Sequence, residues 1–203
     1  MSSANSKTFT NQVGCDLESV IATLELDKRP SRTTDLRAES HLFTELTHEL
    51  AKSPKDFFQK LVDLALNLSL ADSTGISLLN EKIGRFVWPA VAGGLHPYLG
   101  EGTPSDFGPC GTVLERDAPV LFQHPERHFT YLEPIKPPLE EVLLIPFRVD
   151  GKTVGTIWAV IHTPGKHFQS EDKRMLTELS QFASVAYKIL LENGFLEPLL
   201  QKK

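Results

Sequence analysis

The chain has 203 residues, of which 40% are hydrophobic and 23% are charged, a composition typical of a globular protein with a core of its own. The formal net charge is -5 and no basic patch is present, which argues against nucleic-acid binding. The longest apolar runs are too short to span a bilayer, and the N-terminus has no apolar signal core. With only two cysteines, Cys15 and Cys110, we expect reduced thiols, no membrane partner and a cytoplasmic location.

Residues 1–34 are predicted to form an N-terminal tail that carries one short helix. Residues 1–15 are polar and are expected to be a mobile tail. The next apolar residues, at helical spacing, are Leu17, Val20, Ile21 and Leu24. A polar stretch with Pro30 follows, and we expect the folded domain to begin at residue 35.

Two helices are predicted to open the domain. The first is indicated by apolar residues at helical spacing, Leu42, Phe43, Leu46 and Leu50. Ser53 is placed to cap the second helix, with Pro54 at its first position and Asp56 completing a capping box. This second helix should end near Ala71.

After the second helix, the spacing of hydrophobic residues changes to the spacing expected for strands. We expect one hairpin from strands 74–80 and 86–92, a short third strand over 118–123, and a second hairpin from strands 142–149 and 152–162. Asp150-Gly151 suits the type I′ turn of the second hairpin, since both residues tolerate positive φ. The glycine-rich stretch 93–111 indicates a loop, with one helical turn over 110–116.

A last helix is expected to start with Ser170 as its cap and to end at Asn193-Gly194, which leaves residues 193–203 as a C-terminal tail. This order of helices and local hairpins predicts an α+β fold. Its sheet should be antiparallel, with helices on one face and loops on the other.

Three segments resemble one known family. Residues 143–159, with the turn Asp150-Gly151, resemble the apolar hairpin of GAF domains. Residues 167–176 resemble the "F-x-x-E-D-x-x-L-L" entry to the last GAF helix. The stretch 106–119, which begins Asp-Phe-Gly-Pro-Cys-Gly, resembles the GAF sensory modules of bacterial two-component signalling, which often precede histidine kinase cores. The resemblance covers residues 15–192.

The resemblance implies a GAF-like (profilin-like) fold over residues 35–192. Its antiparallel sheet has five or six strands, with helices on one face and a loop-covered pocket on the other. GAF domains bind cyclic nucleotides, tetrapyrroles, haem, iron, amino acids or nothing known, so the ligand and any cofactor stay unknown. The resemblance also implies a sensor that acts as a homodimer through its terminal helices, with a histidine kinase or another signalling partner.

Strand alternation predicts which side chains face the pocket. On the last strand Thr156, Trp158, Val160 and His162 should face it, while Ile157, Ala159 and Ile161 face the helices. On the second strand Phe86, Trp88 and Ala90 share a face. The candidate ligand-binding residues are Trp88, Phe107, Cys110, His128, Thr156, Trp158 and His162. The alternative is that the two tryptophans simply fill the core.

Cys110 supports a second hypothesis, because a thiol at a helix N-terminus has a lowered pKa. It could serve a thiol-dependent reductase of free methionine sulfoxide, although Cys15 is the only other thiol. The alternative, which we favour, is that Cys110 is a small buried residue that fits a tight turn. Covalent attachment of a bilin is not expected, since Gly111 follows Cys110 where a histidine is usual.

No metal site and no catalytic motif are predicted. The group His124, Glu126, His128, His162 and Cys110 matches no metal-ligand spacing. We therefore expect a binding module and not an enzyme. A third hypothesis is a ligand-free dimerisation module with a filled core.

Overall fold

The computed structural model describes residues 14–34 and 36–201. Within these ranges the helices are α1 Thr23–Leu26, α2 Leu36–Lys52, α3 Phe57–Leu68, α4 Pro109–Arg116, α5 Ser170–Glu192 and α6 Leu196–Leu200. The strands are β1 Ser73–Asn80, β2 Arg85–Gly93, β3 Val120–Gln123, β4 Glu141–Val149 and β5 Lys152–Ile161. Most of the predicted elements are therefore present, with ends that differ by a few residues.

The strands form one open antiparallel sheet in the order β2-β1-β5-β4-β3. The predicted α+β, GAF-like architecture is confirmed, with five strands. The β4–β5 hairpin turns at Asp150 and Gly151, whose φ values of 51° and 78° are those of the predicted turn.

Two cores lie on opposite faces of the sheet, because side chains alternate along each strand. On one face α3 and α5 cover Ile157, Ala159 and Ile161, which confirms the predicted helix side of β5. On the other face Trp158 and Val160 belong to a second core beneath the long loops. The sheet is thus buried on both sides.

Loops are hydrogen-bonded to both outer strands of the sheet. Along β2, the backbone N–H groups of Phe86 and Trp88 donate to the carbonyl groups of Thr103 and Glu101, each at 2.8 Å. Along β3, Ala22 donates to the carbonyl oxygen of Leu121 at 2.8 Å, and Ile21 forms a bridge with Phe122.

The N-terminal segment differs from the single helix predicted over residues 17–24. Leu17–Val20 is a 3₁₀ turn, Ile21 is extended against β3, and α1 follows. Pairing with the sheet edge interrupts the helix at Ile21. Val20 and Leu26 are buried in the two cores, so residues 14–34 pack on the domain. The mobile tail expected over residues 1–15 is wrong at its last two residues, because the N–H groups of Gly14 and Cys15 donate to the carbonyl oxygens of His128 and Arg127 at 3.1 and 2.8 Å. Residues 1–13 lie outside the described residues, as does Asp35, and the predicted domain boundaries stay predictions.

Three helix ends also differ from the sequence prediction. Ser53 precedes a 3₁₀ turn, Pro54–Asp56, and makes no side-chain cap hydrogen bond, so the predicted capping box is wrong. The helix that follows ends at Leu68 and not near Ala71. The cap of α5 is Gln169 and not Ser170, because Gln169 and Asp172 bond each other's backbone N–H groups.

One helix is longer than the sequence indicates, and one helix was not predicted. Helix α4 runs for eight residues instead of one turn. Beyond the predicted end of α5 at Asn193-Gly194, where Gly194 has φ 72°, α6 lies in what was expected to be a tail. Asn80 Nδ2 donates to the carbonyl oxygen of Leu200 at 3.1 Å, which ties α6 to the end of β1.

Candidate ligand-binding site

A small cavity lies on the loop-covered face of the sheet. Its volume is about 50 Å³. The sheet supplies its floor and the loops before α4 and before β4 supply its walls and roof. The side chains that line it are Trp88, Leu95, Thr103, Pro109, Cys110, Leu132, Ile135, Leu139, Val142, Leu144, Trp158 and Val160. The tryptophans therefore do not fill this side of the core completely.

An irregularity in the pairing of β1 with β2 places Trp88 and Ala90 on opposite faces of the sheet. The register shifts between Ile76 and Leu78 of β1, so that β2 has more residues there than its partner. Trp88 therefore faces the cavity, whereas Ala90 lies in the core on the helix side. The prediction that Ala90 shares the face of Trp88 is wrong, because strict alternation does not hold across a bulge.

The two tryptophan rings lie side by side on the sheet, with centroids 5.5 Å apart. Gly75 of β1 makes room for the ring of Trp158, since a Cβ atom there would lie 2.1 Å from Trp158 Cζ2. The Nε1–H group of Trp158 donates to Ser77 Oγ at 3.0 Å. That of Trp88 is buried and has no hydrogen-bond partner among the described residues. The indole donor of Trp158 is thus satisfied, whereas that of Trp88 is buried without a partner among the described residues.

Cys110 connects the cavity wall to the sheet. Its thiol donates to Ser77 Oγ at 3.3 Å and accepts from Thr156 Oγ1 at 3.6 Å. Burial raises the pKa of Cys110, and the hydrogen bonds from its neighbours, which lower it, do not offset the burial. The expectation that the start of α4 favours a thiolate is therefore wrong. Thr156 lies beneath Cys110 and is not a lining residue.

Two hydroxyl groups near the cavity are buried without a partner in the described ranges. They belong to Thr103, which lines the cavity, and to Tyr131, whose oxygen would lie 2.5 Å from a Cβ atom at Gly108. Burial raises the pKa of Tyr131, so its hydroxyl is neutral and can donate. Sequence reasoning missed both residues because they lie in loops, where no periodicity marks a buried side chain.

Phe107 and His128 lie beside the cavity in an aromatic cluster. The ring of Phe107 is 5.7 Å from that of His128 and 6.0 Å from that of Tyr131. His128 Nδ1 is 2.6 Å from the carbonyl oxygen of Cys15, which holds the N-terminal segment against the domain. Neither residue is among those that line the cavity. They support the wall that contains Tyr131.

His162 was expected to line the cavity, but it does not. Instead it joins the segment that covers the cavity to the sheet. Its Nε2 atom is 2.7 Å from Ser73 Oγ on β1, and its Nδ1 atom is 2.7 Å from the carbonyl oxygen of Pro138. A second attachment joins the same segment to the loop after β2, where Lys136 N donates to Tyr98 Oη at 2.9 Å. The segment 132–139 is therefore fixed at two points.

Of the seven predicted site residues, Trp88, Cys110 and Trp158 line the cavity, and the other four support its surroundings. Whether any of them contacts a ligand stays a prediction. In the part of the chain that the structure describes, no group of three or more His, Cys, Asp or Glu side chains could hold a metal ion. Nor is any described helix long and apolar enough to cross a membrane.

The model of one protein family, described as GAF domain, matches residues 51–187. No curated protein matches the chain significantly. Solved structures do match it. The GAF domain of Acinetobacter phosphoenolpyruvate-protein phosphotransferase is 19% identical with a TM-score of 0.66, and the match covers 79% of this chain and 97% of that one.

Two further solved structures illustrate the range of similar proteins. Free methionine-R-sulfoxide reductase from Neisseria meningitidis, in complex with its substrate, is 13% identical with a TM-score of 0.64, covering 80% of this chain and 96% of that one. The GAF-B domain of DevS from Mycobacterium smegmatis is 21% identical with a TM-score of 0.57, and the match covers 71% of this chain and 99% of that one. At these identities the likeness shows the fold alone.

Proposed function

The chain belongs to the GAF domain family, and from this we propose that it is a sensory module that binds a small molecule in the cavity between its sheet and loops. The observation that carries the proposal is the cavity itself, which lies beneath the loops and is lined mostly by aliphatic and aromatic side chains, so that a ligand seated in it would bury apolar surface.

Segment 132–139, which forms the roof of the cavity, would link ligand binding to a conformational change. Segment 132–139 contributes Leu132, Ile135 and Leu139 to the cavity and is attached through His162 and Tyr98. A ligand that favours one position of this segment would shift the population of that position.

The intrinsic fluorescence of the protein provides a direct test, because Trp88 and Trp158 are its only tryptophans and both line the cavity. Pools of small metabolites are screened for added mass by native mass spectrometry, and each binder is titrated by fluorescence. The variant Val142→Phe fills the cavity, and Leu24→Ala at an exposed position is its control. We expect binding to wild type and to the control but not to Val142→Phe. A binder that Val142→Phe retains lies elsewhere, and a complete absence of binders favours a ligand-free dimerisation module.

We also propose that the module acts as a homodimer in bacterial signal transduction and works in the cytoplasm. The helical side carries exposed apolar side chains, among them Val185 and Leu191 of α5. The resemblance of residues 106–119 to the GAF modules of two-component signalling suggests such a system, with a histidine kinase as one candidate partner. The two free cysteines suit a reducing compartment. Light scattering of Val185→Glu and Leu191→Glu tests the dimer, since a charge at the interface should yield monomers.

One observation favours a second candidate function, a thiol-dependent reductase. The Cys110 thiol lines the cavity, and structures similar in fold include free methionine-R-sulfoxide reductases. The raised pKa of Cys110 opposes this activity, since the thiolate is the nucleophile. An assay of free methionine-R-sulfoxide consumption in the presence of excess dithiothreitol distinguishes the sensory module from the reductase. Turnover that is lost in Cys110→Ser would establish the reductase.

A further inference from the structure

The surface of the cavity between the sheet and the loops is entirely apolar. Among the described residues that line it, none carries an acidic or basic side chain. The indole nitrogen of Trp88 and the hydroxyl oxygen of Thr103 belong to lining residues, but both atoms are themselves buried, so neither is accessible to a molecule in the cavity. A ligand seated there would therefore gain no hydrogen bond from these walls.

Polar groups at the floor of the cavity are bonded to one another. Ser77 Oγ on β1 accepts from Trp158 Nε1 at 3.0 Å and from the Cys110 thiol at 3.3 Å. Thr156 Oγ1 in turn donates to Cys110 Sγ at 3.6 Å. The indole proton of Trp158 and the thiol proton are thus both taken by Ser77. A molecule that brought a donor, an acceptor or a charge into the cavity would lose its hydration without compensation, which is unfavourable.

The volume of the cavity, about 50 Å³, limits the ligand to a few atoms. A water-sized group needs about 10–15 Å³, whereas a dry apolar cavity that takes benzene measures about 150 Å³. Scaling from the first figure gives about four non-hydrogen atoms, and scaling from the second gives about two. A larger molecule would have to move the roof away from its attachments to His162 and Tyr98.

Resting on the sensory function proposed above, we propose that the ligand is an apolar molecule of about two to four non-hydrogen atoms, without a charge and without a hydrogen-bonding group. Short alkenes and alkanes have this chemistry, and so do diatomic gases. The favourable free energy of binding comes from moving the apolar surface of the ligand out of water and against the aliphatic and aromatic walls. Because the ligand has so few atoms, its dissociation constant is expected to be no lower than about 40 μM.

Small probes of known polarity test this ligand class on the full chain. Isobutene is apolar, acetone has the same shape with a hydrogen-bond acceptor added, and carbon monoxide represents the diatomic gases. The readout is the set of carbon-13 methyl NMR signals from the leucine, isoleucine and valine residues that line the cavity. The methyl groups of Ile157 and Ile161, which lie in the core on the other face of β5, serve as the internal control.

We expect isobutene to shift the methyl signals of the lining residues saturably and to leave those of Ile157 and Ile161 in place. Acetone should bind about tenfold more weakly, because its buried oxygen would lack a partner. Val142→Phe, which fills the cavity, and the milder Val142→Ile should both weaken isobutene binding, whereas the exposed control Leu24→Ala should not. Tighter binding of carbon monoxide than of isobutene would assign the ligand to the diatomic gases, and the reverse order would assign it to the hydrocarbons.

Acetone binding as tightly as isobutene overturns the ligand class and leaves the cavity as a binding site. The class is also overturned if neither isobutene nor carbon monoxide shifts the lining methyl signals, or if Ile157 and Ile161 respond equally. The metabolite screen with Val142→Phe then decides the proposed function separately. A screened compound that binds wild type but not Val142→Phe preserves that function with a different ligand, whereas the absence of any such compound removes it.

Discussion

Glu141 is a buried charged residue whose removal should weaken the fold. It is the first residue of β4, and its side chain is 2% exposed. Arg29 of the N-terminal segment donates to both carboxylate oxygens, at 2.7 and 2.9 Å. Gln123 Nε2 and the backbone N–H of Phe168 also donate to it. This carboxylate therefore joins the N-terminal segment, β3 and the entry to α5.

We expect Glu141→Gln to lower the free energy of unfolding by about 3 kcal/mol. Removing one partner of a buried ion pair costs about 3–5 kcal/mol, and the lower figure applies because Arg29 keeps 17% of its side chain exposed. The matched control is Glu197→Gln, which breaks an exposed pair with Lys82 and should cost less than about 1 kcal/mol.

The effect should depend on pH. Burial raises the pKa of Glu141, but the hydrogen bonds from Arg29 and its other donors outweigh burial and hold the pKa below the ordinary 4.5. A lowered pKa contributes stability above the ordinary value and loses that contribution as the pH falls through the folded value. Urea unfolding at pH 7 and at several values below 4.5 should therefore show a shrinking difference between wild type and Glu141→Gln. A difference under 1 kcal/mol at pH 7, or one that grows as the pH falls, would refute this reasoning.

Three further perturbations test the site and the turns. Gly75→Ala should lower the free energy of unfolding, measured with urea, by about 1–3 kcal/mol. The added methyl group should push the Trp158 ring into the cavity and change its fluorescence, and an unaltered spectrum would contradict the tight contact. Gly151→Ala, where a Cβ atom meets nothing within 4 Å, should cost about 1 kcal/mol from its positive φ alone, and a larger loss would implicate unseen contacts. Ellman's reagent should modify Cys15 in the native protein and Cys110 only after unfolding, and two equally fast thiols would contradict the burial of Cys110.

The sequence pattern predicted the regular parts of the fold well, because β1, β4 and β5 are short apolar runs bounded by turns and α5 buries one face at helical spacing. It failed where a local interaction outweighs the pattern. Ile21 pairs with β3 instead of continuing a helix, and the shifted register beside Ser77 sends Ala90 to the helix side.

Apart from Cys110 on α4, the predicted residues that line the cavity lie on strands. Trp88 and Trp158 follow from alternation along β2 and β5. Thr103 and Tyr131 come from loops, whose buried positions depend on contacts with distant residues such as Gly108. For Cys110, position at the start of a helix suggested a thiolate, but the degree of burial, which the sequence does not reveal, decides the pKa.

The covered edges of the sheet limit how this domain can associate with other proteins. An open sheet normally offers its outer strands as templates for a further strand, from another subunit, a peptide or an aggregating copy. Here the loop at Glu101 and Thr103 and the segment at Ile21 already bond those strands. Assembly by strand addition would first have to displace them, so specific association is directed to the helical faces, and conditions that detach either loop should expose the protein to aggregation.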